Sequence, residues 1–292
     1  MTDHATHAPG HAEILRIVAP NPGPMTLEGT NTYLNGSDPC AVIDPGPDDA
    51  GHLEAVRAAA EERGGIGSIL LTHGHGDHAG GAERLAALAA DGGDAAAARG
   101  PTSGRRPRRP LLPRGRGDAA AAGPTPGAAS RAGAPPVLLP AGGEVRGGLR
   151  ALATPGHAAD HVCFLSGDGV CFGGDLVLGE GSSFVPPDGG SLAAYMESLR
   201  LLQAEPIELI CPGHGPWITD PAAKLAEYVE HREMRERRLI AALDRGERSR
   251  EALLAEVWDD VPDQVRPAAA LVMEAHLQKL GSEGRLPPDL RS

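Results

Sequence analysis

From residue 13 to residue 47 short apolar runs alternate with Pro, Gly and Asn: "EILRIVAPNPGPMTLEGTNTYLNG", then "CAVIDPGP". That punctuation predicts strands joined by tight turns. "HLEAVRAAAEERGG" (52–65) has helical spacing and a double-Gly stop. "IGSILL" (66–71) lacks polar alternation, as expected of a strand covered on both faces. "LLTHGHGDHAGG" (70–81) follows, and "AERLAALAA" (82–90) resumes as a helix, which puts a polar cluster on a strand-to-helix loop. In an open α/β sheet, ligands bind at such carboxyl ends of strands.

Strand spacing returns over "PVLLPAGGEVRGGLRALATPGH" (136–157), and "HVCFLSGDGVCFGGDLVLGEG" (161–181) predicts two strands in a hairpin through "SGDG". "SLAAYMESLRLLQAE" (191–205) reads as an amphipathic helix, and "PIELICPGHGP" (206–216) as a strand ending at a glycine-flanked histidine. Asp220 and Pro221 then form a helix-start pair. A long helix runs from there to "DRG" (244–246), with two more over 249–261 and 266–281. With "SEGRLPP" (282–288) as a wing, this tail has a winged-helix arrangement. "LVMEAHL" (271–277) suits either a core or a homodimer contact.

Residues 91–136 break the pattern. Ala, Gly, Pro and Arg fill 37 of the 46 positions, too little apolar area to offset ordering entropy, so low order is expected across 95–130. Eight Arg against three Asp make the stretch locally basic, but no aromatic is interleaved for stacking on bases. An inert insert, or a segment read in a shifted frame, fits better than an RNA-binding arm. The loss of strand-forming residues here leaves His157, further on, with weak support.

Composition narrows the class. A net charge of -12 argues against tight, non-specific nucleic-acid binding by the whole surface. Cys40, Cys163, Cys171 and Cys211 form no C-x-x-C pair, which favours reduced, buried thiols and a cytoplasmic setting. The start of the chain, through residue 13, reads as a disordered polar tail carrying His4, His7 and His11, not as a signal peptide. No stretch approaches the roughly 20 apolar residues of a membrane span.

The chemistry concentrates in His73, His75, Asp77 and His78. On a strand-like segment His73 and His75 project the same way, with Asp77 and His78 beyond a turn permitted by Gly74 and Gly76. Imidazoles with a carboxylate suit zinc, with iron or manganese as alternatives. Three more potential ligands, each beside glycine, follow separate apolar runs: His157 in "TPGH", Asp175 in "FGGDLVLG" and His214 in "CPGHG".

This ordered set resembles the metallo-β-lactamase superfamily, whose H-x-H-x-D-H motif and later His, Asp and His match 73–78, 157, 175 and 214. More narrowly, "NPGPMTLEGTNTYL" (21–34), "TPGH" and the helical tail are similar to the β-lactamase-like protein 2 group. The resemblance implies an α/β fold, a four-layer αββα sandwich over 14–220 with a small winged-helix-like domain over 221–292. It also implies that His73, His75 and His157 hold one metal, that Asp77, His78 and His214 hold a second, and that Asp175 bridges them. Two zinc ions would then share a water and lower its pKa from near 16 towards about 7, giving a bridging hydroxide as nucleophile. Asp77 is the candidate catalytic residue, orienting that nucleophile or carrying its proton. Asp44, closing "AVIDPG", is either a partner behind a ligand histidine or a simple strand-ending Asx turn.

A metal-dependent hydrolase acting on a phosphodiester, such as single-stranded RNA, is the first expectation. A thioesterase resembling glyoxalase II, with a small-molecule substrate, is the runner-up. The other class is a winged-helix nucleic-acid-binding module on a non-catalytic metal core. Against RNA, residues 221–292 carry 12 Lys and Arg but 14 Asp and Glu, so this module has no net basic footprint.

Overall fold

The computed structural model describes residues 5–93, 137–138, 143–145 and 148–290. The low order expected over 95–130 lies outside them. The first elements are β1 (Ala5–Ala8), β2 (His11–Val18), β3 (Asn31–Asn35), β4 (Cys40–Ile43) and α1 (Ala50–Glu61). Next come β5 (Ile66–Leu70), a single turn α2 (Gly76–Ala79), and α3 (Ala82–Gly93). Five strands follow: β6 (Val137–Leu138), β7 (Gly143–Val145), β8 (Leu149–Ala153), β9 (Val162–Ser166) and β10 (Val170–Gly174). The rest is α4 (Leu192–Gln203), β11 (Leu209–Pro212), α5 (Pro221–Asp244), α6 (Arg250–Val257) and α7 (Arg266–Ser282).

Among the described residues the strands form two sheets, ordered β1-β2-β3-β4-β5-β6 and β11-β10-β9-β8-β7. Side chains alternate across each strand, so a buried strand feeds two different cores. Cys40 and Val42 of β4 pack with α1 and α3, while Ala41 and Ile43 turn towards the other sheet. From that second sheet Val162, Phe164, Val170 and Phe172 point inward, and Cys163, Leu165 and Cys171 face α4 and α5. The result is a helix–sheet–sheet–helix sandwich. With few aromatics available, Tyr33 takes a large share of the middle layer: its Oη donates to Pro212 O at 2.7 Å and its ring lies 5.5 Å from Phe172. All four cysteines are free and buried.

The long helix α5 joins the two units. Asp220 caps it by accepting from Ala223 N at 3.0 Å. Its first half packs Leu225 and Tyr228 on the second sheet, and its second half packs Leu239, Ala242 and Leu243 against α6 and α7. Val272, Met273 and Leu277 are buried in that cluster and Ala275 against the sandwich, so most of 271–277 is core, with Leu271 left exposed. No described helix is long and apolar enough to cross a membrane.

Two expectations need correction. Residues 5–13 do not form a disordered tail: β1 and β2 make an antiparallel hairpin in register Ala5↔Ile17, extended onto β3. Ala8 and Ile14 are buried there, while His7 stays exposed, and His4 lies outside the described residues. Edge pairing is made by backbone groups, so a polar outer face conceals it from a hydropathy reading. The "SEGRLPP" segment, in turn, forms no strand. It turns at Gly284 (φ 73°) and enters a 3-10 turn at Pro288–Leu290, with Arg285 N returning to Leu280 O at 2.8 Å.

Candidate metal centre

The centre starts from Asp44, directly after β4, which takes a left-handed φ of 50°. A non-glycine residue holds this conformation only where its surroundings fix it. Here the carboxylate is fully engaged. Oδ1 accepts from Thr72 N at 2.8 Å, and Oδ2 accepts from Thr72 Oγ1 at 2.7 Å and lies 2.9 Å from His78 Nδ1. Thr72 Oγ1 is also 3.0 Å from His73 Nδ1. One carboxylate thus sets the orientation of two imidazoles, and the Asx-turn alternative does not describe it.

The histidine motif is not carried by the strand itself. β5 stops at Leu70, His73 lies in the following loop, and His75 sits at the N-cap of α2, on which Asp77 and His78 ride. Neither Gly74 nor Gly76 has a positive φ, so the chain turns by entering a helix and not through left-handed glycines. His73 and His78 are fully buried, Asp77 is half-buried and His75 is exposed.

The other three side chains arrive from the second sheet. His157 follows β8 and is firmly held, with its Nδ1 2.7 Å from Phe184 O and the residue 5% exposed, contrary to the weak support expected. Asp175 follows β10. His214 follows β11, its Nδ1 3.2 Å from Gly29 O. Gly213 beside it is required by space: a Cβ there would overlap Asp175 Oδ1 and come 2.7 Å from His78 Cε1.

With one side of the His73, His78, His157 and His214 rings anchored, the remaining nitrogens converge, joined by the exposed His75. His75 Nδ1 lies 3.0 Å from both His73 Nε2 and His157 Nε2, and His78 Nε2 lies 3.3 Å from His214 Nε2. Donor atoms of His73, His75 and His157 all fall within 4.8 Å of one another, as do those of Asp77, His78 and His214. Asp175 groups with His73 and His78, one member of each triple. Asp175 Oδ1 is buried without a hydrogen-bond partner, 3.3 Å from His78 Nε2 and 3.4 Å from His214 Nε2. Facing lone pairs and an unsatisfied carboxylate oxygen form a donor set that fits a pair of cations.

Electrostatics within the cluster are strongly coupled. Burial, then the neighbouring His78, pushes His73 well below the usual histidine range. Burial opposes charge on His214, but the Asp175 and Asp77 carboxylates, each 3.4 Å from its Nε2, outweigh it and push the imidazole up to about 9. Burial also opposes ionisation of Asp175, yet His78 and His214 hold it well below the usual carboxylate range. At Asp77 burial again resists ionisation, and the hydrogen bond with His214 overcomes it, so this carboxyl too is lowered.

Residues 25–214 match the model of the metallo-beta-lactamase superfamily, and residues 249–286 match the beta-lactamase associated winged helix domain. The chain belongs to the metallo-beta-lactamase superfamily. Among relatives, it is 33% identical to a Beta-lactamase-like protein 2 homolog of Drosophila melanogaster, over 94% of this chain and 90% of that one. It is 32% identical to the Lactamase-like protein adaB of Aspergillus niger, over 94% and 81%. A beta-lactamase domain protein from Burkholderia ambifaria shares the fold, with TM-score 0.66 at 20% identity over 96% of this chain and 88% of that one. So does a metallo-beta-lactamase family protein from Thermus thermophilus, with TM-score 0.62 at 22% identity over 93% and 94%. The superfamily fold, its winged-helix domain and the two donor triples make this chain a binuclear metal-dependent hydrolase.

Sequence reasoning missed His161, which it read only as the start of a strand. Its Nδ1 is 2.9 Å from Thr154 Oγ1, and its Nε2 accepts from Asp175 N at 3.2 Å, which fixes the backbone beneath Asp175. Burial, then His157, drives its pKa down to about 3, so it stays neutral. The four-residue spacing from His157 in "HAADH" was the one available signal. Asn21 and Thr30 were missed too. Asn21 bonds Thr30 at both Oγ1 and N (2.9 Å each), and Thr30 Oγ1 reaches Asp77 Oδ2 at 3.5 Å.

Proposed function

We propose that this hydrolase cuts phosphodiesters, with single-stranded RNA as the polymeric substrate, using two zinc ions. His73, His75 and His157 would hold one ion, and Asp77, His78 and His214 the other, with Asp175 between them. When bound, the paired cations supply a water ionised near neutral pH and positive charge to offset the negative charge developing at the phosphoryl group. The observation that carries the reading is the pairing of two three-donor groups through one carboxylate. Residues that would hold two cations side by side suit a substrate that presents more than one charged oxygen, as a phosphodiester does.

The chain's own residues have distinct tasks in this reading. Asp44 holds His78 by Nδ1 and, through Thr72, holds His73, so both rings aim Nε2 at the place where the cations would sit. Asp77, held in its anionic form, has a side chain 31% exposed and can accept a proton at Oδ2 or orient a water. His75 and the flanking Gly74 and Gly76 are exposed, which leaves the centre open to a large substrate lying across the surface. The four buried free thiols support a reducing, cytoplasmic setting.

The test is turnover by the zinc-loaded protein on bis-nitrophenyl phosphate, short single-stranded RNA, S-lactoylglutathione, a lactone and nitrocefin. Cleavage of the two phosphodiesters is expected, lost on chelation. Faster turnover of S-lactoylglutathione would replace this reading with a thioesterase. RNA binding without turnover of any substrate would replace it with a binding module.

A further inference from the structure

Arg232, midway along α5, is 3% exposed, and no carboxylate among the described residues pairs with it. A buried guanidinium is costly unless its donors are well used. Nη2 donates to Ser182 Oγ at 2.9 Å and to Ser183 O, and the guanidinium carbon lies 5.4 Å from the centre of the Tyr195 ring.

The segment it grips reaches two donors of the metal centre. Phe184 O is the partner of His157 Nδ1, and Ser183 Oγ lies 2.7 Å from Asp175 O and 3.1 Å from Leu176 O. Tyr195 supplies a second route. Its Oη donates to Leu176 O at 2.7 Å, and it packs so closely on Gly156, next to His157, that a Cβ on that glycine (φ 145°) would lie 2.5 Å from the tyrosine Cβ. Arg235, one turn along α5, makes the contrast. It pairs with Asp260 through two bonds of 2.8 Å and bonds Val257 O at 2.6 Å, wholly within the helical extension.

We infer that Arg232 is a positioning residue through which the C-terminal helical extension fixes His157 and Asp175 for metal binding. This rests on the two-cation reading above. A mobile loop over 182–184 would let His157 rotate and the Asp175 backbone shift, and loss of such outer support costs metal affinity.

The test is zinc affinity of the metal-free full-length protein, by chelator competition, alongside its Tm. Arg232→Met and Ser183→Ala are expected to weaken zinc binding about 10–100-fold. Arg232→Lys should recover part of the loss, since an ammonium can donate to the same acceptors but lacks the planar guanidinium that lies against the Tyr195 ring. Arg235→Met should lower Tm yet leave zinc affinity within about twofold of wild type, because it breaks only contacts inside the extension. Wild-type affinity in Arg232→Met, or an equal loss in Arg235→Met, overturns the inference. If Arg232→Met does not fold, wild-type affinity in Ser183→Ala overturns it. Fewer than two zinc ions on the wild-type protein would sink the two-cation reading itself, whereas two ions with unaffected variants would sink only this inference.

Discussion

The sandwich edge and the C-terminal extension each bury histidines, and the two sets behave differently. His73, His78, His157 and His214 each rest one ring nitrogen on a fixed partner: Thr72, Asp44, the Phe184 carbonyl and the Gly29 carbonyl. Their other nitrogens meet in a shared space. His276 is equally buried, packed 5.8 Å from Trp258, but neither of its ring nitrogens has a hydrogen-bond partner among the described residues. Burial of a histidine therefore does not make a site. Anchoring on one side and convergence on the other do.

The sharpest break of that comparison is substitution in each set. His78→Ala should remove several kcal/mol of transition-state stabilisation, about 10³-fold in kcat/KM, and lower bound metal at the same time. Steady-state kinetics with metal analysis checks both. Asp44→Asn keeps the shape but replaces the ionised acceptor at His78 Nδ1, and should weaken metal affinity about 10–100-fold. Unchanged zinc competition would show that the anchor is idle.

Acid tests the protonation of a buried ring outside the cluster. Burial holds His52 down at about 4, against the attraction of Asp49, beside a 2.9 Å contact with Thr32 Oγ1. The unfolded chain keeps this group near the ordinary histidine value of 6.5, so between about pH 6.5 and 4 the unfolded state binds the extra proton. Its contribution to stability is therefore present above that window and lost as pH falls through it, by about 1.4 kcal/mol per pH unit. Urea unfolding of metal-free wild type and His52→Gln should differ in slope by that amount, and parallel slopes would refute it.

The smallest effect is expected at His276. Replacing it with Leu removes two unsatisfied polar atoms, so Tm should stay level or rise, within about 1 kcal/mol, with turnover unchanged. A large loss of turnover would show that the extension hides chemistry of its own.

Much of this was legible in the order of residues. β5 sends Ile69 and Leu70 into two different cores, as its unbroken apolar run predicts, and the spacing of 73–78, 157, 175 and 214 marked side chains that the fold brings to one edge. What stayed hidden depends on partners distant in sequence. The β1–β2 hairpin is polar outside and is ordered by pairing with β3. His161 and Thr72 acquire meaning only when Asp175 and Asp44 arrive beside them. The wing was inferred from length alone, and its backbone closes on α7 instead.

The most direct measurement is zinc loading of the metal-free protein, with stoichiometry and anomalous scattering to locate each ion. Two ions per chain are expected, one among His73, His75 and His157 and one among Asp77, His78 and His214, with Asp175 reaching both. A single ion, or zinc seated instead on the half-buried His11 with the exposed Glu13 and Asp168, would contradict it.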